Sequence, residues 1–268
     1  MKVVLFCGGE GMRLRGYSED VPKPMVTIGA RPVLWHVMKY YAHFGHKDFV
    51  LCLGYKANAI KSYFLEYEES VSNDFVFSRG GQTLEFMQRD IDDWKITFAD
   101  TGLHATIADR LRLVEPYLQG EEMFLANYSD GLTNFYLPKM IQEFSRRDCY
   151  ASFLSVQPRS SSLDTVITDE EGCVRAIKSM MDSNIWINGG YFVFRKDIFR
   201  YIRPGEELIY EPFRRLISEG KLWSQRCDGF WQCMDTFKDK QILEELEASG
   251  SAPWRLWKNG QHTPGSAA

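Results

Sequence analysis

Hydrophobic residues along this chain alternate between two periods. Val3-Val4-Leu5-Phe6-Cys7 is a short unbroken apolar run that stops at glycine, the pattern of a strand buried on both faces. From Pro32 to Gly45 the period lengthens. Val33, Leu34, Val37, Met38 and Tyr41 fall on one helical face, with proline at the entrance and glycine at the exit. Phe49 to Leu53 returns to a strand, and Ile60, Tyr63, Phe64 and Tyr67 mark a second helix. Strand, helix, strand, helix in that order implies a parallel sheet with crossover helices. The alternation continues through a strand at Trp94 to Ala99 and a helix opened by Thr106 with Asp109, ahead of Leu111, Val114 and Leu118. A strand at Met123 to Asn127 and a helix around Leu137 to Phe144 follow.

Beyond residue 150 strands crowd together, at Ala151 to Val156, Asp164 to Thr168, Val174 to Ile177 and Tyr191 to Phe194, before a helix at Lys238 to Ala248. The expected architecture is α/β, with a mainly parallel central sheet and a β-rich portion supplying the substrate side of a site. Residues 1–258 are expected to form one domain. The small polar residues of 259–268 predict a disordered tail.

Composition narrows the function classes. The 268 residues, 44% of them hydrophobic, suffice for a well-filled core. A net charge of −4 provides no basic field, so nucleic acid is not an expected partner, although a local cationic pocket is compatible with it. No stretch approaches 18 apolar residues and no charged leader precedes the first strand, so no membrane partner and a cytoplasmic setting are expected. The six cysteines show neither C-x-x-C metal spacing nor the density of a disulfide scaffold, and read as reduced thiols, mostly in the core.

Candidate chemistry is concentrated where the first strand ends. Gly8-Gly9-Glu10-Gly11-Met12-Arg13-Leu14 is followed by Pro22-Lys23-Pro24-Met25. Backbone without side chains lets N–H groups crowd around an anion, Arg13 adds a forked cation, and Lys23 adds a point charge on a proline-stiffened loop. A dinucleotide fingerprint fits less well. Leu14 stands where it needs a third small residue, and no acid ends a second strand near Gly54-Tyr55. No Gly-Lys-Ser/Thr follows, which excludes a P-loop, and a purely structural glycine turn is the plain alternative. Asp130, just past the strand at Met123 to Asn127, projects at the carboxyl edge of the sheet, where open α/β folds bind ligands. Asp235 ends the aromatic stretch Gly229 to Thr236. Each alone is most simply a strand-end or capping carboxylate. Together with Arg13 and Lys23 they form a two-carboxylate site suited to Mg²⁺ and phosphate. His36, on the apolar face of a helix, reads as a packed core histidine. Trp254 and Trp257 read as a packing or oligomer-contact element, and a homo-oligomer is expected.

These residues resemble the sugar-phosphate nucleotidyltransferases, and within them the glucose-1-phosphate cytidylyltransferases. The likeness spans nearly the whole chain. Its first match is the glycine loop with Arg13 and Lys23. The branch-specific matches are Leu34-Trp35-His36-Val37-Met38, Gly54-Tyr55-Lys56, Asp100-Thr101-Gly102-Leu103, Trp186-Ile187-Asn188-Gly189-Gly190, Asp228-Gly229-Phe230-Trp231 with Met234-Asp235-Thr236, and Ala252-Pro253-Trp254. The resemblance implies a Rossmann-like nucleotidyltransferase fold that condenses a nucleoside triphosphate with a sugar 1-phosphate and releases pyrophosphate. The expected pair is CTP and glucose 1-phosphate, giving CDP-glucose, with Mg²⁺ as cofactor. It further implies that Gly8, Gly9, Gly11, Met12 and Arg13 wrap the triphosphate, that Lys23 meets phosphate oxygens, and that Asp130 and Asp235 hold Mg²⁺. Arg110 would meet the cytosine, and Asn188 and Gly189 would line the sugar pocket.

Two departures fall on the substrate-recognition side. Where the family carries Glu-Lys-Pro before the Asn-Gly-Gly element, this chain has Ile177-Lys178-Ser179-Met180-Met181-Asp182, so Lys178 is the candidate for the sugar-phosphate contact. The Thr-Gly-Gly expected before the base-side arginine is here Ile107-Ala108-Asp109. Another sugar 1-phosphate, another nucleotide, or a binding homologue with weak catalysis are the alternatives these departures leave.

Overall fold

The computed structural model describes residues 1–9, 21–158, 164–179 and 184–258. In chain order it begins with β1 (Lys2–Phe6), the short pair β2 (Thr27–Ile28) and β3 (Arg31–Pro32), α1 (Val33–His43), β4 (Asp48–Leu53) and α2 (Ala57–Leu65). A hairpin of β5 (Phe75–Ser78) and β6 (Thr83–Phe86) precedes β7 (Lys95–Asp100), α3 (Ile107–Leu113), β8 (Met123–Asn127), β9 (Gly131–Thr133) and α4 (Leu137–Ser145). The second half adds β10 (Ala151–Val156), β11 (Asp164–Thr168), β12 (Val174–Ser179), β13 (Ile187–Arg195), α5 (Glu211–Ser218), β14 (Leu222–Cys227), β15 (Trp231–Cys233) and α6 (Phe237–Ala248). The expected tail at 259–268 lies outside the described residues.

Seven strands form the central sheet in the order β14-β10-β13-β8-β1-β4-β7. β8, β1, β4 and β7 run parallel to one another, β14 is parallel to β10, and β13 lies antiparallel between β8 and β10. Both faces are covered, which is why β1 and β4 are unbroken apolar runs. Val3 and Leu5 join one cluster with α1, α4 and Trp254, while Val4 and Phe6 join the other with α3 and α5. The β-rich second half therefore divides: β10, β13 and β14 extend the central sheet, and β11–β12 pair only with each other.

Local chemistry sets the boundaries. Pro32 opens α1, and Gly45 follows its end at φ +84°, a conformation that glycine reaches without strain. The Thr106 hydroxyl accepts from Asp109 N at 3.0 Å and caps α3. The helix stops at Leu113, short of Leu118, because Pro116 enters the next turn and supplies no N–H. The five residues expected on the buried face of α1 have no exposure, and Trp35, His36 and Tyr40 are buried as well.

His36 fits the reading of a core histidine. Its Nε2 bonds the Ile28 carbonyl at 3.0 Å, and Trp254 Nε1 donates to its Nδ1 at 3.3 Å. One ring nitrogen donates and the other accepts, which only the neutral imidazole can do. Burial depresses its pKa from 6.5 to about 3. The unfolded chain takes up a proton below pH 6.5 that the folded one refuses, so stability falls as pH falls through that window. At pH 5 the loss attributable to His36 is about 2 kcal/mol relative to pH 7. Urea titrations at the two values should show that component in the wild type and lack it in His36→Gln. Equal pH dependence in both proteins would contradict a neutral buried ring.

Candidate active site

The parallel strands deliver their carboxyl ends to one edge, and the chain turns there at Gly8 after β1, Gly54 after β4 and Gly102 after β7. The exits at Gly8 and Gly54 leave no room for a side chain, and Gly102 sits at φ +83°. A Cβ on Gly54 would stand 2.7 Å from the Gly102 carbonyl and 2.8 Å from that of Gly8, and a Cβ on Gly8 would collide with the Arg110 guanidinium. Glycine is required because no side chain has room.

Arg110 reaches this crossing from α3. It is 3% exposed and donates to the carbonyls of Leu53, Gly102, Gly8 and Leu103 and to the Thr101 hydroxyl, at 2.6 to 3.2 Å. Burial pulls its pKa down, and every one of these acceptors is neutral. Arg110 was expected to face a base. Its guanidinium ties the exits of β1, β4 and β7 into one unit beneath the Gly8 turn.

Asp130 is presented by the turn that follows β8. Ser129 sits at φ +64°, held by a bond from its own N to Asn127 Oδ1 at 2.6 Å and from its hydroxyl to the Phe6 carbonyl at 2.8 Å. These bonds stabilise a left-handed conformation that costs a non-glycine residue about 1–2 kcal/mol. Asp235 arrives from the other direction. β9 and β15 pair antiparallel with Gly131 opposite Cys233, so the ladder continues to Asp130 and Met234, whose N–H donates to the Asp130 carbonyl at 2.9 Å. Thr236 and Asp239 then form a capping box on α6, and Asp239 Oδ2 also accepts from Asp235 N at 3.2 Å. Register and cap together fix the two acids side by side.

Lys23 completes the group. It lies in a tight turn over Lys23–Met25 with Pro24 buried beneath it. Its ammonium donates to Asp130 Oδ2 at 2.6 Å and to Asp235 Oδ1. The three side chains are 14%, 24% and 30% exposed, in the order Lys23, Asp130, Asp235. Burial works against the Lys23 charge, but the two carboxylates outweigh it and raise its pKa, so the ammonium is retained at neutral pH. Burial pushes the Asp130 carboxyl above its ordinary value, Lys23 opposes that shift, and Asp235 adds repulsion. A cavity of about 310 Å³ opens beside the group, lined by residues including Cys7, Gly9, Lys23, Pro24, Tyr128 and Asp130. Burial lifts the Cys7 thiol to about 12, so it stays protonated and is no nucleophile.

The sugar-side candidates reach the same edge because β13 runs antiparallel to β8 and starts where β8 ends. Asn188 donates to the Tyr128 hydroxyl at 3.3 Å, and Gly190 N donates to Asn188 Oδ1 at 2.9 Å. The Trp231 indole donates to the Gly189 carbonyl at 2.9 Å, which connects this segment to the strand leading to Asp235. A Cβ on Gly189 would lie 2.8 Å from Val156 Cγ1, so that close approach also needs glycine. Lys178 is placed differently: it is exposed on the separate β11–β12 hairpin, opposite Thr165. Gly11, Met12 and Arg13 lie outside the described residues. Tyr128 and Ser129 carry no signal of their own in the sequence, and Trp231 enters there only as part of the Asp228–Trp231 match. For Tyr128 and Ser129, adjacency to Asp130 is the signal that could have found them.

The Arg110 arrangement makes a direct prediction. Lysine at 110 offers one compact ammonium where a fork now serves several buried acceptors, each costing about 1–3 kcal/mol when left unpaired. Arg110→Lys should lose about 2–4 kcal/mol of unfolding free energy in urea. Unchanged stability would contradict the tying role.

Comparisons with known proteins show the family and the fold. The family model described as nucleotidyl transferase matches residues 2–245. Glucose-1-phosphate cytidylyltransferases of Salmonella typhi and Salmonella typhimurium are each 35% identical over 262 residues, covering 96% of this chain and 100% of theirs. Among solved structures, HddC from Yersinia pseudotuberculosis superposes with a TM-score of 0.68 at 19% identity, over 92% of this chain and 99% of that one, which shows the shared fold. A chain with these relatives along nearly its whole length belongs to the nucleotidyl transferase family, as a sugar-1-phosphate nucleotidyltransferase of the glucose-1-phosphate cytidylyltransferase-like kind.

Proposed function

We propose that the enzyme transfers the cytidylyl group of CTP to glucose 1-phosphate, with Mg²⁺ as cofactor, giving CDP-glucose and pyrophosphate. The observation that carries this reading is the convergence of Lys23, Asp130 and Asp235 beside a cavity at the carboxyl edge of the sheet. The choice of CTP and glucose rests on the Salmonella relatives. The donor set fits Mg²⁺. Two carboxylates already hold a cation between them, and this ion characteristically takes one or two protein carboxylates and completes its shell with water and substrate phosphates. Among the described residues no group of three or more acidic, histidine or cysteine side chains could hold a metal, so phosphates would supply the remaining ligands.

In this reading an oxygen of the sugar 1-phosphate attacks the α-phosphorus. A new P–O bond forms, the bond to the bridging oxygen breaks, and pyrophosphate leaves with that electron pair. Mg²⁺, when bound, neutralises the charge on the phosphates. The chain's own task is positioning and charge. The Gly8 and Gly9 backbone, with Gly11, Met12 and Arg13, would wrap the triphosphate, and Lys23 would move onto phosphate oxygens. Asn188 and Gly189 would bound the sugar pocket, with Tyr128 fixing the Asn188 amide. Lys178 is assigned to the sugar phosphate on the family resemblance alone. Arg110, which holds the Gly8 turn, is assigned to the cytosine on the family resemblance alone.

We extend the proposal to a cytoplasmic homo-oligomer. The free thiols are consistent with a reducing compartment. Phe77, Leu84 and Met87 expose apolar surface on the β5–β6 hairpin that self-association would cover. Trp254 contributes differently from an oligomer contact, being buried against His36 and Phe230 within the chain. No helix among the described residues is long and apolar enough to cross a membrane.

The test is pyrophosphate release from purified protein with each of four nucleoside triphosphates and a panel of sugar 1-phosphates, with Mg²⁺ and with EDTA. CTP with glucose 1-phosphate should be the productive pair and EDTA should silence it. Asp130→Asn and Asp235→Asn should each lower turnover about 100-fold or more while remaining folded. A better pair would move the specificity, and near-normal Mg²⁺-dependent rates in both variants would overturn the carboxylate assignment.

A further inference from the structure

Two carboxylates placed side by side in a partly buried site repel, and the fold offers them little freedom to separate. Asp130 is fixed by the Ser129 turn and by its carbonyl's bond from Met234 N, and Asp235 by the start of α6. A cation between them relieves that repulsion whether or not substrate is present. Lys23 is in that position, bonded to both, on a turn stiffened by Pro22 and Pro24. An ammonium bonded to both carboxylates repels a divalent ion brought to the same oxygens, so the two cations compete for that position.

We propose that Lys23 is a placeholder cation: without nucleotide it closes the carboxylate pair to free divalent metal, and triphosphate oxygens draw it away to open the seat. This rests on the reading of Asp130 and Asp235 as the metal carboxylates. The exchange leaves a cation between the carboxylates before and after loading. The bare site holds one ammonium against two carboxylates. On loading, the ammonium passes to phosphate oxygens, and the metal, already accompanied by those phosphates, takes its place. The site thereby selects a metal–triphosphate complex over free metal, and a productive Lys23–phosphate contact is coupled to metal seating. The neighbouring cavity, lined by both Lys23 and Asp130, provides the space into which the ammonium can swing.

Mn²⁺ binding without nucleotide, followed by electron paramagnetic resonance, tests this on the intact protein. Wild type should bind free Mn²⁺ no more tightly than Asp130→Asn, because its pair is occupied. Lys23→Met and Lys23→Gln, which remove the charge, should each bind about tenfold or more tightly than wild type. They should also melt lower than wild type and regain stability with added Mg²⁺, whereas wild type should gain none. Wild type binding Mn²⁺ as tightly as a folded Lys23 variant, and better than Asp130→Asn, would overturn the placeholder. If that happened while Asp130→Asn still lost Mg²⁺-dependent turnover, the carboxylate assignment would stand and only the placeholder would fall. If Lys23→Met gained affinity and kept it after Asp130→Asn and Asp235→Asn were added, the metal would bind elsewhere and both would fall.

Discussion

Like charges held at close range are the constraint around which this molecule is arranged. Asp130 and Asp235 come from chain segments about a hundred residues apart, yet the register of β9 with β15 and the cap of α6 leave them adjacent. Removing one partner from a buried ion pair strands the remaining charge and typically costs several kcal/mol. The Lys23 ammonium thus offsets the charge of both acids at once. Its turn, its prolines and its direction all serve to place it between two acids at the edge of the sheet.

Among the described residues, the strand exits at that edge are lined by glycine and backbone. Gly8, Gly54 and Gly102 remove side chains from three strand exits, and Arg110 fills the space below them with donors aimed at backbone carbonyls. The antiparallel β13 brings Asn188 and Gly189 to the same line, and the Trp231 indole joins that segment to the strand of Asp235. Both halves of the site therefore share one rigid support, which suits a displacement reaction that needs alignment more than it needs a nucleophile.

Much of the fold was legible in the sequence because local and tertiary preferences agree. The unbroken apolar runs of β1, β4 and β8, the Thr106 cap, and the proline entrance and glycine exit of α1 all form as their residues dictate. The β5–β6 hairpin was not legible, because Phe75, Val76 and Phe77 are all exposed and carry no alternation to read. The start of β13 was hidden by Asn188-Gly189-Gly190, whose glycines suggest a loop and whose pairing comes from β8 and β10. Asp130, Asp235 and Lys23 could be singled out by residue type and strand position, but their mutual bonds depend on register between distant segments. Arg110 shows the opposite limit. The family resemblance alone singled it out, and its bonds to the carbonyls of Leu53, Gly102, Gly8 and Leu103 depend on three strand exits that meet only in the fold.

The most direct measurement is a crystal structure of the protein with Mg²⁺ and a CTP analogue that cannot release pyrophosphate. The account predicts metal density shared by Asp130, Asp235 and phosphate oxygens, with the Lys23 ammonium moved off both carboxylates and onto the triphosphate. Lys23 still bridging Asp130 and Asp235, with the metal held by other groups, would contradict it.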